Sequence, residues 1–392
     1  MKKYLSITPS VMRSINRTAI LEYIRCNGRM SRAVLARDLD ISLPSVVRII
    51  DELIKEKFIR YTGEFEESGR RKRPLVEMNQ DENITIGLDL GGTKAYACVV
   101  DLSGRTLAER NIPVHNTKNK ESYNVVVSLI DEMLAFAVKQ DKIIRGISVG
   151  VPGITTSGDG KVVYAPSLEW RNLPLQTMLE KKYGMPVVVE NDVNMAALGE
   201  MWFGHGRNRS NVVLISIGTG LGAGLIVDGC IYRGANEAAG ELGYIIFDEK
   251  ELEREYPSFG PLEYSISGTG IAIQAKHLPG NENYEYTAKS VFEAYRNNEK
   301  WAINIIENFI NKLAMTIIAA CSVIDPQVII LSGGIMNSAN EIMGELREKV
   351  NGKLSKDVSI EISDLKAKAT VLGGAVSLIH KTADYCIIRT MW

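Results

Sequence analysis
Four glycines fall within seven residues, Gly218-Thr219-Gly220-Leu221-Gly222-Ala223-Gly224, directly after the apolar run Val212 to Ile217. Glycine lacks a Cβ, so it reaches φ > 0 and lets the backbone approach a ligand closely. Successive backbone N–H groups in such a loop form a concavity that suits an anion. An apolar strand feeding this loop points to an α/β fold with a phosphate at the strand end, held by Gly218, Thr219, Gly220 and Gly222. A tight turn that holds nothing uses the same residues, and the loop alone does not separate the two.

The pattern recurs. Ile84 to Leu88 is strand-like and runs into Asp89-Leu90-Gly91-Gly92-Thr93-Lys94, after which Ala95 to Val100 is strand-like again. Gly91 and Gly92 tighten a hairpin, while the Thr93 hydroxyl and the amides through Lys94 face a phosphate. Asp89 is the candidate Mg²⁺ ligand, directly or through water, because Mg²⁺ takes few carboxylates and completes its shell with waters and phosphate oxygens. An ordinary Gly-Gly hairpin is the alternative. A third apolar run, Val328 to Ile330, ends in Leu331-Ser332-Gly333-Gly334. Gly333 and Gly334 either pass under an adenosine or only turn a strand into a helix.

A polar cluster lies between these loops. The β-branched run Val187 to Val189 ends in Glu190-Asn191-Asp192-Val193-Asn194, and a helix-like run, Met195 to Phe203, follows. Ligands of open α/β sheets bind at strand C-termini. Asp192 is a candidate general base for a sugar hydroxyl, and Asn191 can fix a neighbouring hydroxyl with its donor and acceptor. Helix capping explains Asp192 as well. Beyond the glycine loop, Gly240-Glu241-Leu242-Gly243-Tyr244 adds an acid, Glu241, placed for a sugar.

The first 80 residues read as a separate, smaller unit. Asn16 to Asn27 has helical apolar spacing at Ile20, Leu21 and Ile24, and Gly28 stops it. Ser31 is the expected N-cap of Arg32 to Leu39. Leu43 to Lys57 forms a third helix with Pro44 in its first turn. Two short helices and a tight turn are the shape of a helix-turn-helix. Phe58 to Tyr61 and Leu75 to Met78 read as wing strands, with Ser68-Gly69-Arg70-Arg71-Lys72-Arg73-Pro74 at the tip. Residues 1–80 hold 16 Lys plus Arg against 10 Asp plus Glu, a charge of +6, while the rest holds 30 against 37, a charge of −7. A basic head on an acidic body fits DNA, since Lys and Arg neutralise phosphates and release counterions. Ser42, Ser45 and Arg48 are the expected major-groove residues, and Arg70, Arg71, Lys72 and Arg73 the expected minor-groove cluster.

Together these motifs resemble the ROK family of repressors, open-reading-frame products and sugar kinases. The likeness rests on Asp89 to Lys94, the Val151-Pro152-Gly153 turn, Glu190 to Asn194, the segment Ile217 to Gly243, and, in the head, Ser31 to Ala36. It implies a winged helix-turn-helix (1–80) followed by an actin-like sugar kinase fold of two ribonuclease-H-like lobes (84–200 and 201–392), the last helix packing back on the first lobe. It also implies that Gly153, Asn191, Asp192, Glu241 and Glu263 line the sugar site, Glu263 through the match of Gly260 to Gly268. Two departures stand out. The family's usual histidine, a zinc ligand that also touches the sugar, is Tyr244 here, and the family's cysteine cluster is missing from Phe247 to Pro261. Zinc in a closed structural site needs about four N/S ligands, so no zinc is expected. The Tyr244 phenol can still bond a ligand hydroxyl, with a different reach. Ser167 also stands where the family commonly has Asn.

Composition narrows the setting. The chain has 392 residues, 45% of them hydrophobic, enough for two or three domains. Five cysteines at 26, 98, 230, 321 and 386 show no paired spacing, which fits a reduced cytoplasm. Met1 to Ser10 has no apolar signal region. The apolar stretch Ala314 to Ala320 is short of the roughly 20 residues a bilayer requires and reads as part of a core helix, Trp301 to Cys321. Asn79 to Asn83 is the expected interdomain link, and Phe247 to Tyr256 the expected mobile insert. The resulting expectation is a sugar-responsive repressor with operator DNA and a small sugar as partners, a homodimer or higher homo-oligomer, with no cofactor required. The alternative is a sugar kinase with the same head, using MgATP and Asp192 as base.

Overall fold
The computed structural model describes residues 8–68, 71–114, 118–256, 260–278 and 284–383. The head begins with α1 (Pro9–Asn27), whose first turn Thr8 caps by accepting from the Val11 amide at 3.4 Å. β1 (Met30–Ser31), α2 (Arg32–Asp38) and α3 (Leu43–Lys55) follow. Ser31 caps α2 through the Val34 amide at 3.4 Å, a contact type worth about 1 kcal/mol. The wing strands β2 (Ile59–Ser68) and β3 (Arg71–Met78) pair antiparallel and outrun the sequence reading: Arg71 to Pro74, expected at the tip, lie in β3. Arg70 lies outside the described residues.

Five strands build the first lobe's sheet in the order β11-β7-β4-β5-β6. β4 (Asn83–Leu90), β5 (Lys94–Asp101) and β6 (Thr106–Pro113) form antiparallel hairpins, and α4 (Lys120–Ala137) leads to β7 (Ile143–Val151), parallel to β4. β8 (Ile154–Thr155), β9 (Val162–Ala165) and β10 (Trp170–Leu173) make a small separate sheet. α5 (Leu175–Tyr183), β11 (Val187–Asn191) and α6 (Asp192–Phe203) complete this half.

The second lobe repeats the plan. β12 (Val212–Ile217), β13 (Leu221–Val227) and β14 (Cys230–Ile231) are antiparallel neighbours. α7 (Pro261–Ile266), α8 (Gly268–Lys276), α9 (Ala288–Arg296) and α10 (Lys300–Ile324) precede β15 (Val328–Ser332), then α11 (Met343–Asn351) and β16 (Ser359–Ile362). The order is β14-β13-β12-β15-β16, with β12, β15 and β16 parallel. β15 is buried along its whole length, as expected for a strand covered on both faces. α10 outruns the expected 301–321 and is long and apolar enough to cross a membrane. Its Phe309, Ile310, Leu313 and Ile317 are instead buried in the core of this lobe.

α12 (Lys368–Thr382) returns to the first lobe. Its Val371, Leu372 and Ala375 pack on Tyr96, Cys98 and Val100 of β5. α6 packs Ala196, Ala197 and Leu198 on Val212, Leu214, Ile226 and Ile330 of the second sheet. The two helices cross with backbones in near contact: a Cβ on Gly373 would lie 1.7 Å from the Met195 carbonyl, and one on Gly199 2.1 Å from that of Ala369. Head and body share one core, in which Ile20, Leu21, Ile24, Leu53 and Phe58 cluster with Leu102, Trp202, Val376 and Ile379. The expected link 79–83 is tied down, since the amides of Asn79 and Asn83 donate to the Lys57 carbonyl at 3.1 and 2.9 Å.

Candidate functional site
A cavity of about 780 Å³ opens between the lobes, and Asp89, Thr93, Lys94, Gly218, Thr219 and Gly333 are among its lining residues. Two equivalent hairpin turns form part of its wall. In the first lobe β4 turns into β5 through Gly91 to Thr93, closed by the Gly91 amide to the Lys94 carbonyl at 2.9 Å. In the second, β12 turns into β13 through Gly218 to Gly220, closed by the Gly218 amide to the Gly220 carbonyl at 3.0 Å. Gly91, Gly92, Ser332 and Gly334 also line the space. Gly333 has φ 94°, and a Cβ there would stand 2.4 Å from the Ile217 carbonyl; only glycine fits.

Gly222 belongs elsewhere. It sits inside β13 opposite Ser216, and a Cβ on it would touch Val193 of α6 at 3.4 Å. Its small size serves helix-on-strand packing, which corrects its assignment to the phosphate loop. The alternation Gly-x-Gly reads the same in a turn and in a strand pressed against a helix.

Asp192 is the first residue of α6, and Asn191, not Asp192, is the N-cap. Asn191 accepts from the Asn194 amide at 2.9 Å, and its own amide donates to the Gly153 carbonyl at 3.0 Å. The capping explanation of Asp192 therefore falls away. Its carboxylate accepts only from the adjacent Val193 amide, at 3.0 Å, among the bonds described, and it lines the cavity. Burial raises the carboxyl of Asp192, and the charges of Asp89 and Glu241 raise it further. Burial likewise raises Asp89, against the lowering effect of Lys94.

Glu263, on α7, accepts from the Leu221 amide at 3.1 Å. It thereby props the end of the Gly218–Gly220 turn. Burial raises its carboxyl, the Leu221 amide lowers it, and Glu241 raises it. Glu241 is open to solvent, yet the protein mass around it still raises its carboxyl. Tyr244 ends a short 3₁₀ turn, Leu242–Tyr244, and is 67% exposed. Burial raises its phenol, as do the charges of Glu241, Glu263 and Tyr164. Among the described residues no group of three or more His, Cys, Asp or Glu is arranged to hold a metal.

Two residues of this region escaped sequence reasoning as functional groups. Glu190 is 4% exposed and sits beneath Asn191. It accepts from Thr155 Oγ1 at 3.1 Å and the Asn191 amide at 3.0 Å, and from Arg233 Nη2 and Nε at 2.6 and 2.9 Å. The Glu190–Arg233 pair thus joins β11 of one lobe to the segment that leads to Glu241 in the other. A glutamate at the end of an apolar strand was the available signal for Glu190; nothing local marked Arg233.

In the head, Ser42 and Arg48 are exposed and Ser45 is half-buried, on one edge of α3. The Ser42 and Ser45 hydroxyls bond each other at 2.8 Å. Leu43, at the start of α3, is 49% exposed. Lys72 is exposed and Arg73 half-buried on β3; of Arg71 only the backbone is described.

Residues 85–382 match the sequence model of the ROK family, and residues 13–60 that of a winged helix-turn-helix DNA-binding domain. The xylose repressor of Caldicellulosiruptor bescii is 27% identical over 391 residues, 96% of this chain and 98% of the repressor. The crystal structure of a ROK family transcriptional regulator, a homolog of the E. coli MLC protein, superposes with a TM-score of 0.82 at 25% identity, over 96% of this chain and 97% of its own. A ROK family glucokinase from Streptomyces griseus, solved with glucose and AMPPNP, matches with a TM-score of 0.65 at 27% identity, over 75% of this chain and 98% of its own.

Proposed function
The chain belongs to the ROK family, and from that premise we propose that it is a sugar-responsive transcriptional repressor. The observation that carries the reading is coverage. The likeness to the xylose repressor and to the transcriptional regulator spans head and body alike, whereas the glucokinase leaves the head unmatched. The head offers operator DNA the exposed edge of α3 and the basic wing. The cleft offers a sugar Asn191, Asp192, Glu241, Glu263 and Tyr244, with Gly153 held behind them. An aldopentose of the xylose type is the first candidate ligand, from the repressor's name. Two heads on a homodimer would meet two half-sites about one helical turn apart, and exposed Met315 and Val323 on α10 offer apolar surface for pairing. Acting on operator DNA, the protein is proposed to work in the cytoplasm, and its sugar site without zinc.

Kinase activity is the second reading, favoured by one observation: the residues suited to phosphates converge with Asp192 on a single cavity. Gly91 to Thr93 and Gly218 to Thr219 would face the phosphates of MgATP, and Asp89 would hold the Mg²⁺. MgATP would supply the phosphoryl group. Asp192 would take the proton of the sugar hydroxyl, for which it must be ionised. Its carboxyl is raised by burial and by Asp89, so nearby cationic charge is needed to lower it.

One experiment separates the two. A panel of aldopentoses and aldohexoses, each with and without MgATP, is scored for thermal shift, ADP release and operator binding on DNA selected from a random pool. The repressor reading expects one sugar to shift the melting temperature and change operator affinity without ADP. Sugar-dependent ADP release with unchanged operator affinity would overturn it.

A further inference from the structure
Any such regulation needs the state of the cleft to reach α3, and α1 touches both helices that join the lobes. Arg25 holds its guanidinium 4.5 Å from the ring centre of Trp202, near the end of α6. About two turns earlier on the same helix, Arg17 is 5% exposed. Its Nε donates at 2.7 Å to the carbonyl of Ala383, the C-cap of α12. Its remaining nitrogens go to the Glu56 carboxylate, Nη1 to Oε1 at 3.3 Å and Nη2 to Oε2. Glu56 is the C-cap of α3. The body grips the same point again, since Arg145 Nη2 donates to the Glu56 carbonyl at 2.7 Å and its guanidinium lies 3.9 Å from the centre of the Phe58 ring.

The other ends of α6 and α12 lie at the cleft. α6 starts with Asp192, and Thr370 in the first turn of α12 donates to the Asp192 carbonyl at 3.4 Å. α12 rests on the first sheet and α6 on the second. A change in the angle between the lobes therefore moves the far end of one helix against the other, beneath the head.

We infer that Arg17 is the positioning residue through which the lobe angle is passed to the operator-reading helix. One buried guanidinium is bonded to the end of α12 and to the end of α3. Moving either end alone strips a buried charge of acceptors, which is far less favourable than moving both together. The inference rests on the repressor reading above.

The test uses the full chain, selected operator DNA, and D-xylose or whichever panel sugar shifts the wild type. Arg17→Lys keeps the charge but cannot serve Ala383 and both Glu56 oxygens at once. Glu56→Gln leaves Arg17 and weakens its hold on α3. Operator affinity is measured with and without saturating sugar, and sugar affinity separately by calorimetry. In the wild type the sugar is expected to change operator affinity about 5- to 150-fold, the usual range of allosteric coupling. In both variants that ratio should fall below about threefold while sugar affinity stays within about threefold of the wild type. A merely structural role would lower the melting temperature and leave the ratio intact, and that result would overturn the inference. If Arg17→Lys does not fold, Glu56→Gln decides alone. A wild type whose operator affinity no sugar changes would sink the repressor reading, and this inference with it. Responsive variants beside a responsive wild type would sink only the inference.

Discussion
The two lobes share one strand plan and use it differently around the cavity. In each, a hairpin is extended by two parallel strands on one side and one antiparallel strand on the other. The hairpin turn of the first lobe carries charge, Asp89 and Lys94. That of the second carries none, and it is shaped by backbones pressed together at Gly333 and at Gly268, where a Cβ would lie 2.8 Å from the Gly218 carbonyl. The turn of the first lobe brings charged groups to the cavity, and that of the second brings backbone shape. Substitutions at Asp89 and Gly92 should alter binding and spare the fold; substitutions at Gly268 and Gly333 should damage both.

The largest effect is expected at Gly333. Alanine there must take φ 94° and lie 2.4 Å from the Ile217 carbonyl. Such strain with the accompanying backbone shift costs about 3 kcal/mol, readable by urea unfolding. In the first lobe's hairpin turn, Gly92→Ala meets only Ser167 Cβ at 3.7 Å and should move stability by less than about 0.5 kcal/mol. Equal losses at the two sites would erase the contrast.

Acid should act next, and on the first-lobe side. Burial holds the His380 imidazole on α12 down at about 4, against about 6.5 in the unfolded chain. Above that higher value neither state binds the proton. As pH falls from about 6.5 to 4 the unfolded chain takes up a proton that the folded chain refuses, so stability drops by up to about 3 kcal/mol. Hydrogen exchange at pH 5 and pH 7 should show α12 losing protection ahead of α10. Uniform loss, or none, would count against it.

Asp89→Asn should have the smallest effect on the fold. Burial raises the Asp89 carboxyl, so folding already disfavours its charge, and a neutral amide should keep or slightly raise the melting temperature. On the kinase reading, binding of Mg²⁺-nucleotide should weaken about tenfold, the usual size of one lost charge-assisted contact. Unchanged nucleotide affinity would remove the chemical role given to the first lobe.

Much of this frame is legible in the chain because it is local. Ser31 caps the helix it precedes, and the three apolar runs ending in glycine are the strands β4, β12 and β15. What stayed hidden is spread over distance in sequence. Arg233 finds Glu190 across 43 positions, and Arg17 finds Ala383 across 366. No periodicity announces such pairs. The longer wing escaped for another reason: apart from Phe65, Glu64 to Ser68 and Arg71 to Arg73 are charged or polar and look like loop. Cross-strand pairing of Glu66 with Arg73 and Glu67 with Lys72 makes them strand. The choice between capping and facing the cavity at Asp192 also needed the fold, because adjacent Asn and Asp compete for one cap.

The crossing of α6 over α12 has a consequence for how such a molecule can be altered. Gly199 and Gly373 leave no room for a methyl group at the axle, so the crossing tolerates no retuning. Tyr244, out on its 3₁₀ turn, and the outer edge of α3 both lie away from it and are largely open. On the repressor reading, ligand preference at Tyr244 and operator preference at α3 can therefore be changed separately, without touching the crossing. A new sugar or a new DNA address can be grafted without rebuilding what connects them.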